Sequence, residues 1–288
     1  MRADEIRELC FAAVEANLRT PSRRGNIIDL NAASAEDVLV TADLHGHQDN
    51  FNRILERADL DRFPQRHLIL QEVCHGGPTY DQYGACRSHA MLEAVVRLKV
   101  RYPERVHFLL SNHELAEQTS YPIVKDGKML LVTFLLGLTT AYGDDAEQVH
   151  DALSAFIGSS PLGVRVGDAF ICHSAPEEME KHDFDPVIFE RPLVEADLQP
   201  GGDAFRMVWG RDYRESNALA FADRVGAGLL IHGHTPCPAG FTAPNRVQLI
   251  LDCIDRPAGC VLLPSQTSLT HDEICDRVEL LEPSSTVA

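Results

Sequence analysis

Five short segments end on side chains that divalent cations bind. Asp43 and His45 stand in TADLHGH, Glu72 in LILQE, Asn112 and His113 in LLSNHE, His173 in FICHS and His234 in LLIHGHTP. One histidine after an apolar run means little, because motif matches carry false positives. Carboxylate, carboxamide and imidazole groups collected at the ends of several strands are another matter, since these hard and borderline donors suit a pair of divalent cations. The pattern predicts a two-metal hydrolase site.

The elements that must position these groups follow from periodicity. The β-branched run VLVTADLHG predicts a strand ending near Ala42, after a turn-rich stretch around Pro21 to Asn31. Phe51, Ile54, Leu55 and Ala58 recur at helical spacing, HLILQE has the character of a second buried strand, Ser88 to Tyr102 of a helix and RVHFLL of a third strand. Strand, helix, strand, helix, strand implies right-handed crossovers and a sheet of parallel character, whose ligand site lies beyond the carboxyl ends of the strands. Asp43, Glu72 and Asn112 fall there. Two helices are expected between Met129 and Ser160, the second from Asp144. Further on, LGVRVG and DAFICHS suggest a hairpin, AGLLIHG a buried strand, and RVQLILDC with AGCVLLP a second pair closed around Asp255 to Gly259, giving a second sheet. The irregular stretch from Glu177 to Gly210 has the length of a functional loop and is expected to roof the site.

With 288 residues and 44% hydrophobic content, the chain can bury a large core without disulfides. The motifs run from residue 43 to residue 234 and must meet in one site, which argues for a single domain over residues 1–282 and a disordered tail over 283–288. A formal charge of −17, from 26 basic and 43 acidic residues, leaves no basic run to displace counterions from a polyphosphate, so nucleic acid is excluded as a general partner. The N-terminus has Ile6, Leu9, Cys10 and Ala13 at helical spacing, broken by Asp4, Glu5 and Glu8; it is an amphipathic helix rather than a signal peptide. The uncharged run Met129 to Ala141 is too short to span a bilayer, so no membrane partner is expected. Eight cysteines without a secretory signal or a C-x-x-C pair point to reduced thiols and a cytoplasmic protein.

Taken in order, Asp43-Leu44-His45-Gly46, Asn112-His113-Glu114, His173 after a strand and Gly233-His234-Thr235-Pro236 resemble the motifs of the calcineurin-like metallophosphoesterases, in particular the serine/threonine phosphoprotein phosphatase branch and its bacterial relatives. LKVRYPERVHFLLSNHE and Trp209-Gly210-Arg211 agree with that likeness. The resemblance implies an α/β fold, a two-sheet sandwich flanked by helices in α-β-β-α layers. It implies two divalent metal ions, manganese, iron or zinc, with Asp43 and His45 on the first, Asn112, His173 and His234 on the second, and Glu72 bridging them. It also implies a phosphorylated substrate, a phosphoprotein or small phosphoester, attacked by a hydroxide shared between the cations, with His113 protonating the leaving oxygen.

The second motif departs from the family. Where the family has G-D-x-x-D-R-G, this chain has Gln71-Glu72-Val73-Cys74-His75-Gly76-Gly77. Glutamate keeps the bridging charge. The acid that would orient His113 is replaced by His75, which is open to three readings: an orienting partner, a neighbour of the metal site or a loop residue. Asp81, in an apparent insertion from Pro78 to Cys86, is another candidate to orient His113. The phosphate-clamping arginine is replaced by Gly76, leaving Arg211 as first and Arg87 as second candidate for its work. His47, His67, His89, His107, His150, His182 and His271 are expected to be ordinary core or surface residues, His232 to pack near the site, and Asp252 to be structural or functional in equal measure. Two other functions fit the same ligands. One is hydrolysis of dinucleoside polyphosphates; the other is a phosphatase-like binding module without turnover, against which the retention of His113 argues.

Overall fold

The computed structural model describes residues 2–81 and 84–281; the tail from Pro283 lies outside them. Two sheets pack between helices, as expected. One has five strands in the spatial order Val278–Leu281, Ala258–Pro264, Asp37–Asp43, Arg66–Gln71 and Val106–Phe108. Its last three strands are parallel, with Val38 beside His67 and Leu68 beside Val106, because the helices Gln48–Ala58 and His89–Arg101 carry the chain back between them. All of Arg66–Gln71 is buried, which explains its unbroken apolar character. The strands bearing Asp43 and leading to Glu72 therefore stop side by side.

The other sheet has seven strands in the order Arg23–Arg24, Ile27–Leu30, Gly163–Val166, Ala169–Cys172, Leu229–His232, Gln248–Leu251 and Phe241–Thr242. The expected hairpin forms between Gly163–Val166 and Ala169–Cys172, and Leu229–His232 runs parallel to Ala169–Cys172. His173 and His234 thus leave the carboxyl ends of neighbouring parallel strands. Ile27–Leu30 is a strand inside what the sequence marks as turns; Ile28 and Leu30 are buried, but two apolar residues around Asp29 are too short a pattern to separate from a loop.

The expected pairing of RVQLILDC with AGCVLLP does not form. Gln248–Leu251 belongs to the seven-stranded sheet, whereas Ala258–Pro264 crosses to the five-stranded one and lies antiparallel to Asp37–Asp43, Val261 facing Val40. Two apolar runs around a turn have the same sequence signature whether the chain doubles back or changes sheet. Here the crossing is pinned by the Cys253 amide, which donates to the Asp43 carbonyl at 3.1 Å, and by the Gly259 amide, which donates to the Asp252 carbonyl at 2.8 Å.

The stretch from Glu177 to Gly210 is also less open than expected. It contains the turn Pro186–Phe189 and the short helices Glu195–Leu198 and Asp203–Trp209. Phe184 packs its ring against Phe189 and Phe221 at 5.6 and 5.1 Å, so the segment is a packed layer, and its end at Trp209 is what reaches the site.

Candidate metal centre

The loops after the two central strands meet first. The amides of Leu44 and His45 both donate to the carbonyl of Glu72, at 2.8 and 2.9 Å. Glu114, buried in the helix Asn112–Thr119, accepts from the amides of Val73 and Cys74, each at 2.9 Å, and from the Ser111 hydroxyl. Four residues here hold positive φ without being glycine: His45 at 41°, Glu72 at 44°, His75 at 62° and His234 at 67°. Such conformations cost roughly 1–2 kcal/mol each for an L-residue, and backbone strain of this kind gathers at functional sites.

Between these loops the candidate donors converge. His45 Nε2 lies 3.4 Å from Glu72 Oε1, and His113 Nε2 3.5 Å from the same oxygen. On the other side His173 Nε2 lies 2.9 Å from Glu72 Oε2. Asn112 Oδ1 is 2.8 Å from His173 Nε2 and 3.1 Å from His234 Nδ1. Asp43 Oδ1 accepts the His234 amide at 3.0 Å. Two compact groups result, His45 with Glu72 and His113, and Glu72 with His173 and His234, the donor atoms of each within 4.8 Å of one another. Glu72 is common to both.

Three observations fit these residues to divalent cations. Glu72 Oε2 is buried and, among the described residues, accepts no hydrogen bond; His173 Nε2, 2.9 Å away, presents a lone pair to it when the ring donates its proton from Nδ1 to Gln71. Asp43 and Glu72 are buried together: desolvation first, and then the neighbouring Glu72 charge, raises Asp43 well above the usual carboxylate range, while desolvation followed by the Glu114 charge pushes Glu72 up to about 8. Cations would relieve that crowding. Finally, each of the three histidines assigned to metal turns its other ring nitrogen to an oxygen. His45 Nδ1 faces the Cys74 carbonyl at 2.9 Å, His173 Nδ1 the Gln71 Oε1 at 2.8 Å, and His234 Nε2 the Trp209 carbonyl at 3.3 Å. An N–H donated to those oxygens leaves the nitrogen facing the cluster with a free lone pair, the tautomer a metal ligand needs. Burial adds to this by holding His45 down to about 4 and His234 far below the histidine range.

Of the remaining candidates, Arg211 reaches the centre. Its Nη2 donates to the His234 carbonyl at 3.0 Å, and its charge favours the ionised form of Glu72. Arg87 instead lies over the Tyr80 ring at 5.1 Å. Asp81 is exposed, and the partner of His113 is His75: their Nδ1 atoms are 2.7 Å apart. His75 Nε2 in turn meets Glu117 Oε1 at 2.5 Å, and Glu117 Oε2 meets His150 Nε2 at 3.2 Å. Sequence reasoning passed over Glu117, although it lies one helical turn after His113 and so on the same face. It also passed over Gln71 as the partner of His173. His232 packs beneath the site with Gln248 at 3.0 Å, and Asp252 is structural, accepting the amides of Cys237 and Ile254.

Imidazoles whose outer ring nitrogens face fixed oxygens surround two buried carboxylates at the carboxyl ends of strands from two sheets, a donor set that could hold divalent cations. The chain belongs to the calcineurin-like phosphoesterase family, whose model matches residues 37–238. Among solved structures it is similar to a protein serine/threonine phosphatase from Saccharomyces cerevisiae, at 13% identity and a TM-score of 0.69, covering 98% of this chain and 90% of that one. It is also similar to the cold-active protein-tyrosine phosphatase of a psychrophilic Shewanella species, at 12% identity and a TM-score of 0.60, covering 93% and 84% of the two chains. At such identities the likeness is one of fold. No curated protein matches the sequence. Among the described residues no helix is long and apolar enough to cross a membrane.

Proposed function

We propose that the protein hydrolyses phosphomonoesters, phosphoserine and phosphothreonine in proteins among them, with two divalent cations, manganese, iron or zinc, held by Asp43, His45, Glu72, Asn112, His173 and His234. The observation that carries this reading is Glu72, one buried carboxylate between two histidine groups with an oxygen that accepts no hydrogen bond among the described residues. Bound cations would supply an activated water and neutralise charge on the phosphoryl oxygens. The protein's own residues do the rest. Asp43 and Glu72 would give anionic oxygens, and the Asn112 carboxamide oxygen with the three ring nitrogens freed by Cys74, Gln71 and Trp209 would complete the donor set. Arg211, anchored through one nitrogen to the His234 carbonyl, can direct the rest of its guanidinium to phosphate oxygens. His113 would act as the acid. As the P–O bond breaks and its electron pair stays on the leaving oxygen, the proton on His113 Nε2 passes to that oxygen, a step worth about 10²- to 10⁴-fold. The eight unpaired cysteines, seven of them buried, suit a reducing compartment such as the cytoplasm.

The test is His113→Asn, assayed with manganese on a phosphoserine peptide and on para-nitrophenyl phosphate, with metal content measured by plasma mass spectrometry. Turnover of the peptide should fall by about 10²-fold or more. The loss should be smaller on the nitrophenyl ester, whose leaving group needs no proton, and metal content should hold. Equal losses on both substrates would remove His113 as the acid. Loss of metal would make it a ligand, a role its place beside His45 and Glu72 allows.

A further inference from the structure

A carboxylate beside a catalytic imidazole always accepts its proton, but an imidazole does so only in one of its tautomers. His75 stands where a carboxylate was expected, and one proton lies between its Nδ1 and that of His113, 2.7 Å away. Which ring carries it decides what His113 can do. If His75 carries it, His113 Nδ1 is an acceptor. If His113 carries it, Nδ1 donates to His75, and that hydrogen bond fixes the ring with Nε2 as the nitrogen facing the reaction.

The structure assigns that choice to Glu117. Its Oε1 meets His75 Nε2 at 2.5 Å, with both side chains only 1% exposed. An ionised carboxylate can only accept, so the His75 proton is drawn to Nε2, Nδ1 is left bare, and His113 must donate. Glu117 follows His113 by four residues on the helix Asn112–Thr119, so the two side chains leave the same face one turn apart, with His75 held between them from the neighbouring loop. His150 occupies the second oxygen, at 3.2 Å, which keeps the carboxylate from turning away, and the Phe134 ring meets His75 edge-on at 5.8 Å. Glu117 is therefore a positioning residue that acts on His113 through His75 and never touches substrate. The inference rests on the proposed role of His113 for its kinetic consequence, but the tautomer can be read without any turnover.

Long-range proton–nitrogen NMR on the zinc-loaded protein, and again after chelation, should show His75 protonated at Nε2 and bare at Nδ1. In Glu117→Gln the two tautomers should mix, because a carboxamide can donate as well as accept. With manganese, Glu117→Gln should lose about tenfold in kcat on a phosphoserine peptide and less on para-nitrophenyl phosphate, with KM and metal content unchanged. In the His75→Asp background, where a carboxylate faces His113 directly, adding Glu117→Gln should cost less than twofold. His75 found protonated at Nδ1 in the unaltered protein would overturn the assignment, and that spectrum decides even if the variants do not fold. An equal kcat loss on both esters, or an undiminished one in the His75→Asp background, would overturn it too. If no phosphoester is turned over while His75 shows the expected tautomer, the proposed activity falls and the assignment of Glu117 stands.

Discussion

Gly76 occupies the position where a phosphate-binding arginine was expected, and the structure shows why no side chain is there. A Cβ on Gly76 would lie 2.4 Å from the carbonyl oxygen of His45 and 2.9 Å from its Cβ. These atoms belong to a residue already held at a φ of 41°, and neither can swing aside like the end of a long side chain. The contact is mutual, since a Cβ on Gly46 would meet the Gly76 carbonyl oxygen at 2.7 Å. Gly76→Ala must therefore push the His45 backbone. Overpacking of this kind costs about 1–3 kcal/mol, and at roughly 2–4 °C per kcal/mol the melting temperature should fall by several degrees. A disturbed ligand orientation typically weakens metal affinity about 10- to 100-fold. With manganese at 100 times the original Kd, stabilisation by binding would drop from about 2.7 kcal/mol to about 1.4 for a tenfold loss and about 0.4 for a hundredfold one. Thermal melts with and without manganese measure both effects. Gly127→Ala, where the new Cβ meets nothing within 4 Å but φ is 73°, isolates the backbone cost and should leave the manganese shift intact. By the same reasoning Gly76→Arg would not restore phosphate binding; it would disrupt His45. An unchanged melt and a full manganese shift in Gly76→Ala would refute the reasoning.

Arg211→Ala should raise KM for phosphoesters by roughly tenfold or more, the worth of charge-assisted hydrogen bonds, and Arg211→Lys by less; unchanged kinetics in the alanine variant would exclude this residue as the clamp. Glu114→Gln weakens the acceptor of the Val73 and Cys74 amides, and should destabilise by about 1–3 kcal/mol in urea unfolding while also reducing the manganese shift. Lys99, donating to the Thr20 hydroxyl and the Val106 carbonyl without a carboxylate, is pushed by burial down to about 7 from 10.5. Its folded pKa lies below its unfolded one, so the stability lost as pH falls through 7 returns as pH rises toward 10.5. Urea unfolding at pH 7 and 9 should show the native chain gaining on Lys99→Met by up to about 1.4 kcal/mol per pH unit, and parallel slopes would contradict the shift.

How far the sequence disclosed this protein depended on the length and locality of each signal. The parallel strands and helices from Asp37 to Phe108 were legible because each buries a long apolar run or stripe, and the convergence of candidate donors because polar residues end those runs. The fate of Gln248–Leu251 and Ala258–Pro264 was not, since one turn signature serves both a hairpin and a change of sheet. At Gly76 the sequence showed a missing arginine but not the His45 carbonyl that excludes it. His75 left three readings open, and only the packing that brings Glu117 and His113 around it favours the orienting one proposed above. The four-residue step from His113 to Glu117 could have hinted at this, though most such pairs on helices are surface neighbours.

The crossing of the chain from one sheet to the other between Leu251 and Ala258 bears on how the protein comes into being on the ribosome. The strand that delivers Asp43 is flanked on one side by Arg66–Gln71, made soon after it, and on the other by Ala258–Pro264, made some two hundred residues later. Until that late strand emerges, one edge of Asp37–Asp43 is open and its terminal carbonyl lacks the Cys253 amide. His234 also arrives late. A nascent chain can thus hold early donors such as Asp43, His45 and Glu72 near one another long before the whole constellation exists. Pairings between such distant segments form slowly and leave strand edges exposed meanwhile. On the proposed reading, loading with cations would be an event of the finished chain, and a ribosome-stalled chain ending before residue 230 should acquire none tightly.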